Sequence, residues 1–296
     1  MAGKARVALF KSIATILEFL PERIDVGVAM WAARMFGKRD SASRRELTKN
    51  VAHALFAQGQ SVDQDLLERF VSRGFGSYGQ YWAEGAKLPA IEPAKVFSRF
   101  RIAEGLEYLE AARDAGNGTV IALPHIGSWE WGGSFLNSLG LGMLAVAEEL
   151  EPRELFDWFK AKREAIGIRI EPLDEKAGTA LLSELKAGGV VGLLCDRDIQ
   201  GNGIEVEFFG ERVTMPAGPA TLALRTGATL VCAACYIGPG RDHFAVITPP
   251  IVAEREGKLR EDVQRVTQLV AWELEGLIRR APEQWHVLQP RFTENA

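Results

Sequence analysis

The sequence predicts an α/β fold, a mainly parallel sheet flanked by helices with a helical amino-terminal region, and three observations carry that prediction. Residues from about 5 to 115 run in long mixed segments such as "DQDLLERFVSRGFGSYGQYWAEGAKLP" and "GLEYLEAARDAG", with few β-branched runs, the pattern of helices. After Gly116-Asn117-Gly118 the character changes, and short apolar runs alternate with helical stretches. Several of those stretches end in glycine, the usual helix terminator.

Taken in order, the expected strands are Thr119–Leu123, Met143–Ala147, Ile168–Glu171, Val190–Cys195, Thr229–Tyr236 and Phe244–Thr248. Between them lie "EPRELFDWFKAKREAIG", "GTALLSELKAGG" and "PAGPATLALRTGA", each long enough to cross over a sheet as a helix. "FFGERVTMPAGPATLA" is expected to be a loop with a helix starting at Ala217-Gly218, and a last helix runs over Glu261–Arg280. No internal repeat or low-complexity segment is visible. The expected organisation is one domain over residues 1–296, helical to 115 and α/β from 116 onward.

Composition bounds the function. With 47% hydrophobic and 25% charged residues the chain can bury a sizeable core. A net charge of -4 argues against a nucleic-acid binder, which needs positive excess to neutralise phosphates. Residues 1–50 nevertheless hold ten Lys/Arg against five Asp/Glu, so the amino-terminal end is basic and the rest acidic. Three cysteines give no disulfide framework and suggest a reducing compartment. Cys232 and Cys235 form a C-x-x-C, but residues three apart on a strand point to opposite faces, so they read as buried structural thiols rather than metal ligands.

A membrane span needs about 20 consecutive apolar residues. The apolar amino-terminal stretch is broken by Lys11, Glu18 and Pro21-Glu22-Arg23. Phe10, Ile13, Leu17 and Leu20 recur at helical spacing, and Lys4 and Lys11 could face headgroups. This fits a helix lying on a membrane, or an ordinary amphipathic helix packed on a core.

The chemistry-bearing stretch is "LPHIGSWEWGG". His125 follows a predicted strand and Pro124, at the carboxyl edge where parallel sheets gather their chemistry. Ser128 suits a helix N-cap, and Glu130 falls in the first turn. On one regular helix, His125 and Glu130 would lie about 140° apart, so a bend at Ile126-Gly127 is needed to bring them together. A histidine oriented by a carboxylate can act as a general base. Asp196, at the end of "VVGLLCDRD", emerges at the same sheet edge and competes with Glu130 for the orienting role; it could equally pair with Arg197 or cap a turn. Ser128 is not in a G-x-S-x-G elbow and reads as a cap rather than a nucleophile. Lys160, Lys162 and Arg163 form a basic cluster that could be a solvated helix face. At Gly218 free backbone N–H groups could receive a phosphate or oxyanion, or the glycine could serve only close packing. Trp129, Trp131, Phe208 and Phe209 could wall an acyl groove or simply fill a core. His53 reads as a helix-surface residue, and His243 and His286 as structural.

The H-x4-E of "ALPHIGSWEWGG", together with "CDRDIQGNGIEVEFFGERVTMPAGPATLALRTGA" and "EQWHVLQP", resembles the lysophospholipid-type acyltransferases with an H-x4-D/E motif. More closely, these motifs are similar to the branch containing lipid A acyltransferases and actinobacterial phosphatidylinositol mannoside acyltransferases. The resemblance covers about residues 65 to 291. It implies transfer of a fatty acyl group from acyl-CoA to a mannose hydroxyl of a membrane glycolipid by direct attack, with His125 as base and Glu130 or Asp196 beside it, and with no metal or cofactor. By the same resemblance Arg163 belongs in the pocket, supporting the thioester or a phosphate; Gly127, Trp129, Phe208, Phe209 and Gly218 complete the candidate substrate-binding set. Close family members often carry Asp where Glu130 stands. The expected location is peripheral, on the cytoplasmic face of the plasma membrane, where the basic end meets anionic lipid. Rival readings are acylation of lipid A or a lysolipid, a lipase or thioesterase, and a lipid-binding protein without chemistry.

Overall fold

The computed structural model describes residues 2–56 and 59–292. Four helices open the chain: α1 (Ala2–Phe19), α2 (Asp25–Gly37), α3 (Ala42–Leu55) and α4 (Gln64–Lys87). Ser41 and Asp63 cap α3 and α4 by accepting from the backbone N–H groups of Arg44 and Leu66. Helices α2 and α4 approach so closely that a Cβ at Gly79 would stand 2.5 Å from the Ala29 carbonyl oxygen, which only glycine avoids. The short turn between α1 and α2 is tied to the rest of the molecule by charge. Asp25, fully buried, pairs with Lys87 at 2.5 Å and with Arg241, while Glu22 pairs with Lys95 and Arg99.

After α5 (Pro93–Arg99), a seven-stranded sheet forms from β1 (Phe100–Glu104), β2 (Thr119–Leu123), β3 (Met143–Ala147), β4 (Arg169–Pro172), β5 (Val190–Leu194), β8 (Thr229–Ile237) and β9 (His243–Ile247). Their spatial order is β1-β9-β8-β2-β5-β3-β4. All neighbours pair parallel except β8 with β9, which a short Gly- and Pro-containing turn joins as a hairpin. Every residue of β2 is buried, as a central strand covered on both faces requires. The crossovers are made by α6 (Leu106–Ala115), α7 (Trp129–Ser138), α8 (Arg153–Glu164), α9 (Ala177–Lys186) and α10 (Gly218–Thr226), and α11 (Leu259–Arg280) closes the chain against β8 and the hairpin of β6 (Ile204–Phe208) and β7 (Glu211–Met215). One apolar core lies on each face of the sheet. Cys232 belongs to one and Cys235 to the other, so the C-x-x-C thiols are separated by the sheet itself.

The α/β class and mainly parallel sheet are as the sequence predicts. Two elements differ. The stretch to residue 115 contains a strand, β1, whose parallel partner β9 arrives some 140 residues later. The expected loop at residues 208–216 is largely the return strand of the β6–β7 hairpin: Ile204, Val206, Phe208 and then Val213 and Met215 alternate with polar residues, the period-2 signature of a half-buried strand.

Candidate active site

Strands β2 and β5 pair in register, Leu123 opposite Leu194, and the ladder extends one step further through Cys195 N–H to the Leu123 carbonyl. Two residues past each strand stand His125 and Asp196. The register alone therefore brings them together at the carboxyl edge of the sheet.

Asp196 is fully buried. Its Oδ1 lies 2.5 Å from His125 Nδ1, and its Oδ2 accepts from the His125 backbone N–H at 2.9 Å and from Trp285 Nε1–H at 2.7 Å. Burial by itself would raise this carboxyl, but the charge of His125 and the three hydrogen bonds outweigh it and hold it down at about 2. Asp196 is thus ionised at neutral pH. A carboxylate on Nδ1 keeps the proton of the neutral imidazole there and leaves the Nε2 lone pair free to take another. The His125 side chain is 25% exposed and lines a cleft of about 600 Å³ with Trp129, Arg163, Arg197, Gly218 and Arg225.

Gly127 makes the bend. It takes φ +55°, and a Cβ there would sit 2.0 Å from the Cys235 carbonyl oxygen. Its N–H donates to Gln284 O, the next N–H to Cys235 O, and α7 then starts at Trp129 on a new axis. Glu130 is carried away on that axis. Its Oε1 accepts from Tyr81 Oη–H at 2.8 Å and lies 3.3 Å from Arg163 Nη2. Among the described residues, then, the hydrogen bonds couple His125 to Asp196, and Glu130 to Tyr81 and Arg163. The Arg163 guanidinium also stands 4.9 Å over the Trp129 ring, a cation–π contact. Burial and the adjacent Glu130 push the Tyr81 hydroxyl well above the usual phenol range, so it remains a donor.

Glu130 and Arg163 border a second, apolar cavity of about 520 Å³ between α1, α2, α4 and α8, whose walls include Leu17, Val28, Trp82 and Phe159. Arg163 lines both spaces. Around this cavity α1 and α2 present large apolar side chains to solvent, with Phe19 83%, Trp31 66% and Ile16 60% exposed. Ile13, Leu17 and Leu20 of the amphipathic pattern line the cavity; the side chains of Lys4 and Phe10 lie outside those described. Among the described residues no helix is long and apolar enough to cross a membrane, and no cluster of His, Cys, Asp and Glu could hold a metal ion.

The remaining candidates separate. Gly218 opens α10 on the cleft wall, and a Cβ there would meet Leu193 at an ordinary 3.5 Å, so packing does not demand its glycine. Phe208 and Phe209 line neither cavity; they are buried behind the site, 6.0 and 5.7 Å from the Trp285 ring. Ser128 is buried at the N-cap position, where its side chain makes no capping bond and no other hydrogen bond among the described residues. His286 is buried, its Nε2 2.9 Å from Ser77 Oγ and its ring against Tyr78 and Tyr81; burial and then the neighbouring His125 press it down to about 3, so it is neutral. His53 is half-buried, stacked on Phe292. Trp285 and Tyr81 have no counterpart among the residues singled out from sequence: the first was legible only as part of "EQWHVLQP", the second only as a helix-face aromatic.

Comparison with known proteins bears on the family of the chain. The chain is 36% identical over 264 residues to the phosphatidylinositol mannoside acyltransferase of Mycobacterium tuberculosis, covering 88% of this chain and 80% of that protein. It is 32% identical over 284 residues to the protein of the same name from Mycolicibacterium smegmatis, covering 94% and 88%. The family model for bacterial lipid A biosynthesis acyltransferases matches residues 4–294, and the chain is an acyltransferase belonging to that family.

Proposed function

We propose that this acyltransferase moves a long fatty acyl group from acyl-CoA to a mannose hydroxyl of a phosphatidylinositol mannoside. The observation that carries the reading is the His125–Asp196 pair at the floor of a cleft that meets an apolar cavity at Arg163. In this reading the acyl chain lies in the cavity among α1, α2, α4 and α8, where each buried methylene contributes about 0.8 kcal/mol. The acceptor hydroxyl enters from the cleft. His125 Nε2 takes its proton as the oxygen attacks the thioester carbonyl, the ionised Asp196 stabilises the imidazolium, and the protonated ring returns the proton to the departing thiolate of CoA. Arg163, held by Glu130 and the Trp129 face, supplies positive charge where oxyanion charge develops. Attack is direct, without an acyl-enzyme. The buried Ser128, with no hydrogen bond to a base among the described residues, favours this over a hydrolase route.

The enzyme works as a peripheral protein on the cytoplasmic face of the plasma membrane. The exposed apolar side chains of α1 and α2 and the basic excess of residues 1–50 support that placement, since apolar contact and anionic headgroups act together on such helices. The test is product formation from labelled palmitoyl-CoA with a phosphatidylinositol dimannoside and, separately, a lipid A precursor. Acyl-mannoside from the wild type and none from His125→Ala is the expected result; transfer only to the lipid A precursor overturns the acceptor.

A further inference from the structure

The segment Gln284–His286 touches both members of the His125–Asp196 pair. Gln284 O accepts from Gly127 N–H at 2.9 Å, and His286 N–H donates to His125 O at 2.7 Å, so the backbone on either side of Ile126 is strapped to this segment. Between them Trp285 is fully buried, and its indole N–H reaches Asp196 Oδ2 at 2.7 Å. Gln284 is itself fixed, its side chain bonded to both the N–H and the C=O of Ile237 on β8. The indole ring is wedged against Phe208 and Phe209. A carboxylate has two oxygens and can rotate about its Cβ–Cγ bond. Here one oxygen is occupied by two donors, the His125 backbone N–H and the Trp285 indole, which leaves the other directed at His125 Nδ1.

We infer that Trp285 is a positioning residue for the acyl transfer: its indole N–H locks the rotation of the Asp196 carboxylate, and through it the tautomer and orientation of the His125 ring. This rests on the reading of His125 as the general base. An aromatic needed only to fill this space would do so with any ring of the same shape, whereas this one also places a donor against Asp196 Oδ2. A buried carboxylate that loses one of its donors is held less firmly by those that remain, and small displacements of a base are costly to rate without being costly to binding.

The experiment compares wild type with Trp285→Phe and with a variant carrying benzothienylalanine at 285, which keeps the bicyclic shape and replaces N–H by sulfur. His125→Ala runs in the same assay with palmitoyl-CoA and a phosphatidylinositol dimannoside. Expected is a fall in kcat of roughly 10- to 100-fold for both Trp285 variants with each KM within about twofold, the size of loss that misplacing a catalytic group produces. The downfield proton resonance of the His125 Nδ1–H···Asp196 hydrogen bond should shift or broaden in both, while the thermal midpoint of the benzothienylalanine variant, whose packing is kept, falls only by the few degrees that one buried hydrogen bond is worth. Wild-type kcat and an unchanged resonance in the benzothienylalanine variant would overturn the inference while leaving His125 intact as base. Activity surviving in His125→Ala would instead overturn the reading on which the inference rests. If Trp285→Phe fails to fold, the shape-preserving variant still decides.

Discussion

Glu130 Oε1 lies 3.3 Å from Arg163 Nη2, so the carboxylate that completes the H-x4-E pattern is engaged with an arginine, while the histidine five residues earlier is engaged with Asp196 from another strand. The two acids that compete on sequence therefore have separate partners, and removing each should fail in a different way.

Asp196→Asn preserves shape and removes the charge that fixes the tautomer. We expect kcat to fall by about 10³- to 10⁴-fold, on the scale seen when the acid of a serine-protease triad is neutralised. Glu130→Gln frees Arg163 instead and should cost about 10-fold in kcat/KM, because a partner of the charge-bearing group is weakened rather than the base itself. Steady-state kinetics of the two variants side by side checks this; equal losses would contradict the division of roles.

The pH dependence of stability carries a second prediction. Burial raises Glu84 to about 7, opposed by Gln80 and Arg241, and burial lowers His243 to about 3. The two are 3.3 Å apart, but both are driven toward neutrality, so the contact joins a carboxylic acid to an uncharged imidazole rather than two ions. A raised carboxyl gives stability that is present below its unfolded value near 4.5 and is lost as pH rises through about 7. A depressed histidine gives the reverse, stability present above about 6.5 and lost on acidification toward 3. Between these unfolded values the slopes oppose, and near pH 7 Glu84 alone remains. Glu84→Gln should therefore gain in thermal midpoint relative to wild type as pH goes from 5 to 8, by melts at matched ionic strength.

Asp196 adds an acid limb of opposite sign. Its folded value of about 2 lies below the usual 3.8, so its contribution is present above the unfolded value and lost as pH falls through about 2; it amounts to roughly 2 kcal/mol. Denaturant titrations at pH 3 and pH 6 should show a smaller pH difference for Asp196→Asn than for wild type.

Gly85 lines the apolar cavity on α4, and a Cβ there meets nothing within 4 Å. Gly85→Leu should leave the fold intact, stabilise the helix by up to about 1 kcal/mol and shorten the space left for a chain. The ratio of kcat/KM for palmitoyl-CoA against a shorter acyl-CoA should fall several-fold. An unchanged ratio would place the acyl chain elsewhere.

Phe19 and Trp31 are exposed beyond what a water-facing helix pair requires. Phe19→Ser with Trp31→Ser should lower binding to anionic vesicles at least 10-fold, since each large apolar side chain is worth about 1.5–3 kcal/mol when withdrawn from water. Vesicle sedimentation measures this.

The strands that carry the site were legible because each is a short apolar run that follows a Gly, and β2 and β5 are mostly Val, Ile and Leu. β1 was not, because an edge strand with one buried residue has little apolar signal and its partner is remote in sequence. His125 and Asp196 could be named from their strand ends, but which acid serves the histidine depends on strand order, and no local spacing encodes the neighbourhood of β2 and β5. The acyl walls expected at Phe208 and Phe209 illustrate the same limit: aromatic residues near a motif in sequence lie behind the site in space, and the apolar cavity is built by α1, α2, α4 and α8 instead.

The in-register pairing of β2 with β5 has a consequence for how activity and folding are linked. A slip of one residue between these strands would turn Asp196 to the opposite face of the sheet and strand His125 without its acid, because side chains alternate with every step. A nearly folded form with a shifted ladder therefore lacks the His125–Asp196 contact. Under the proposed mechanism, activity thus reports the alignment of the two central strands.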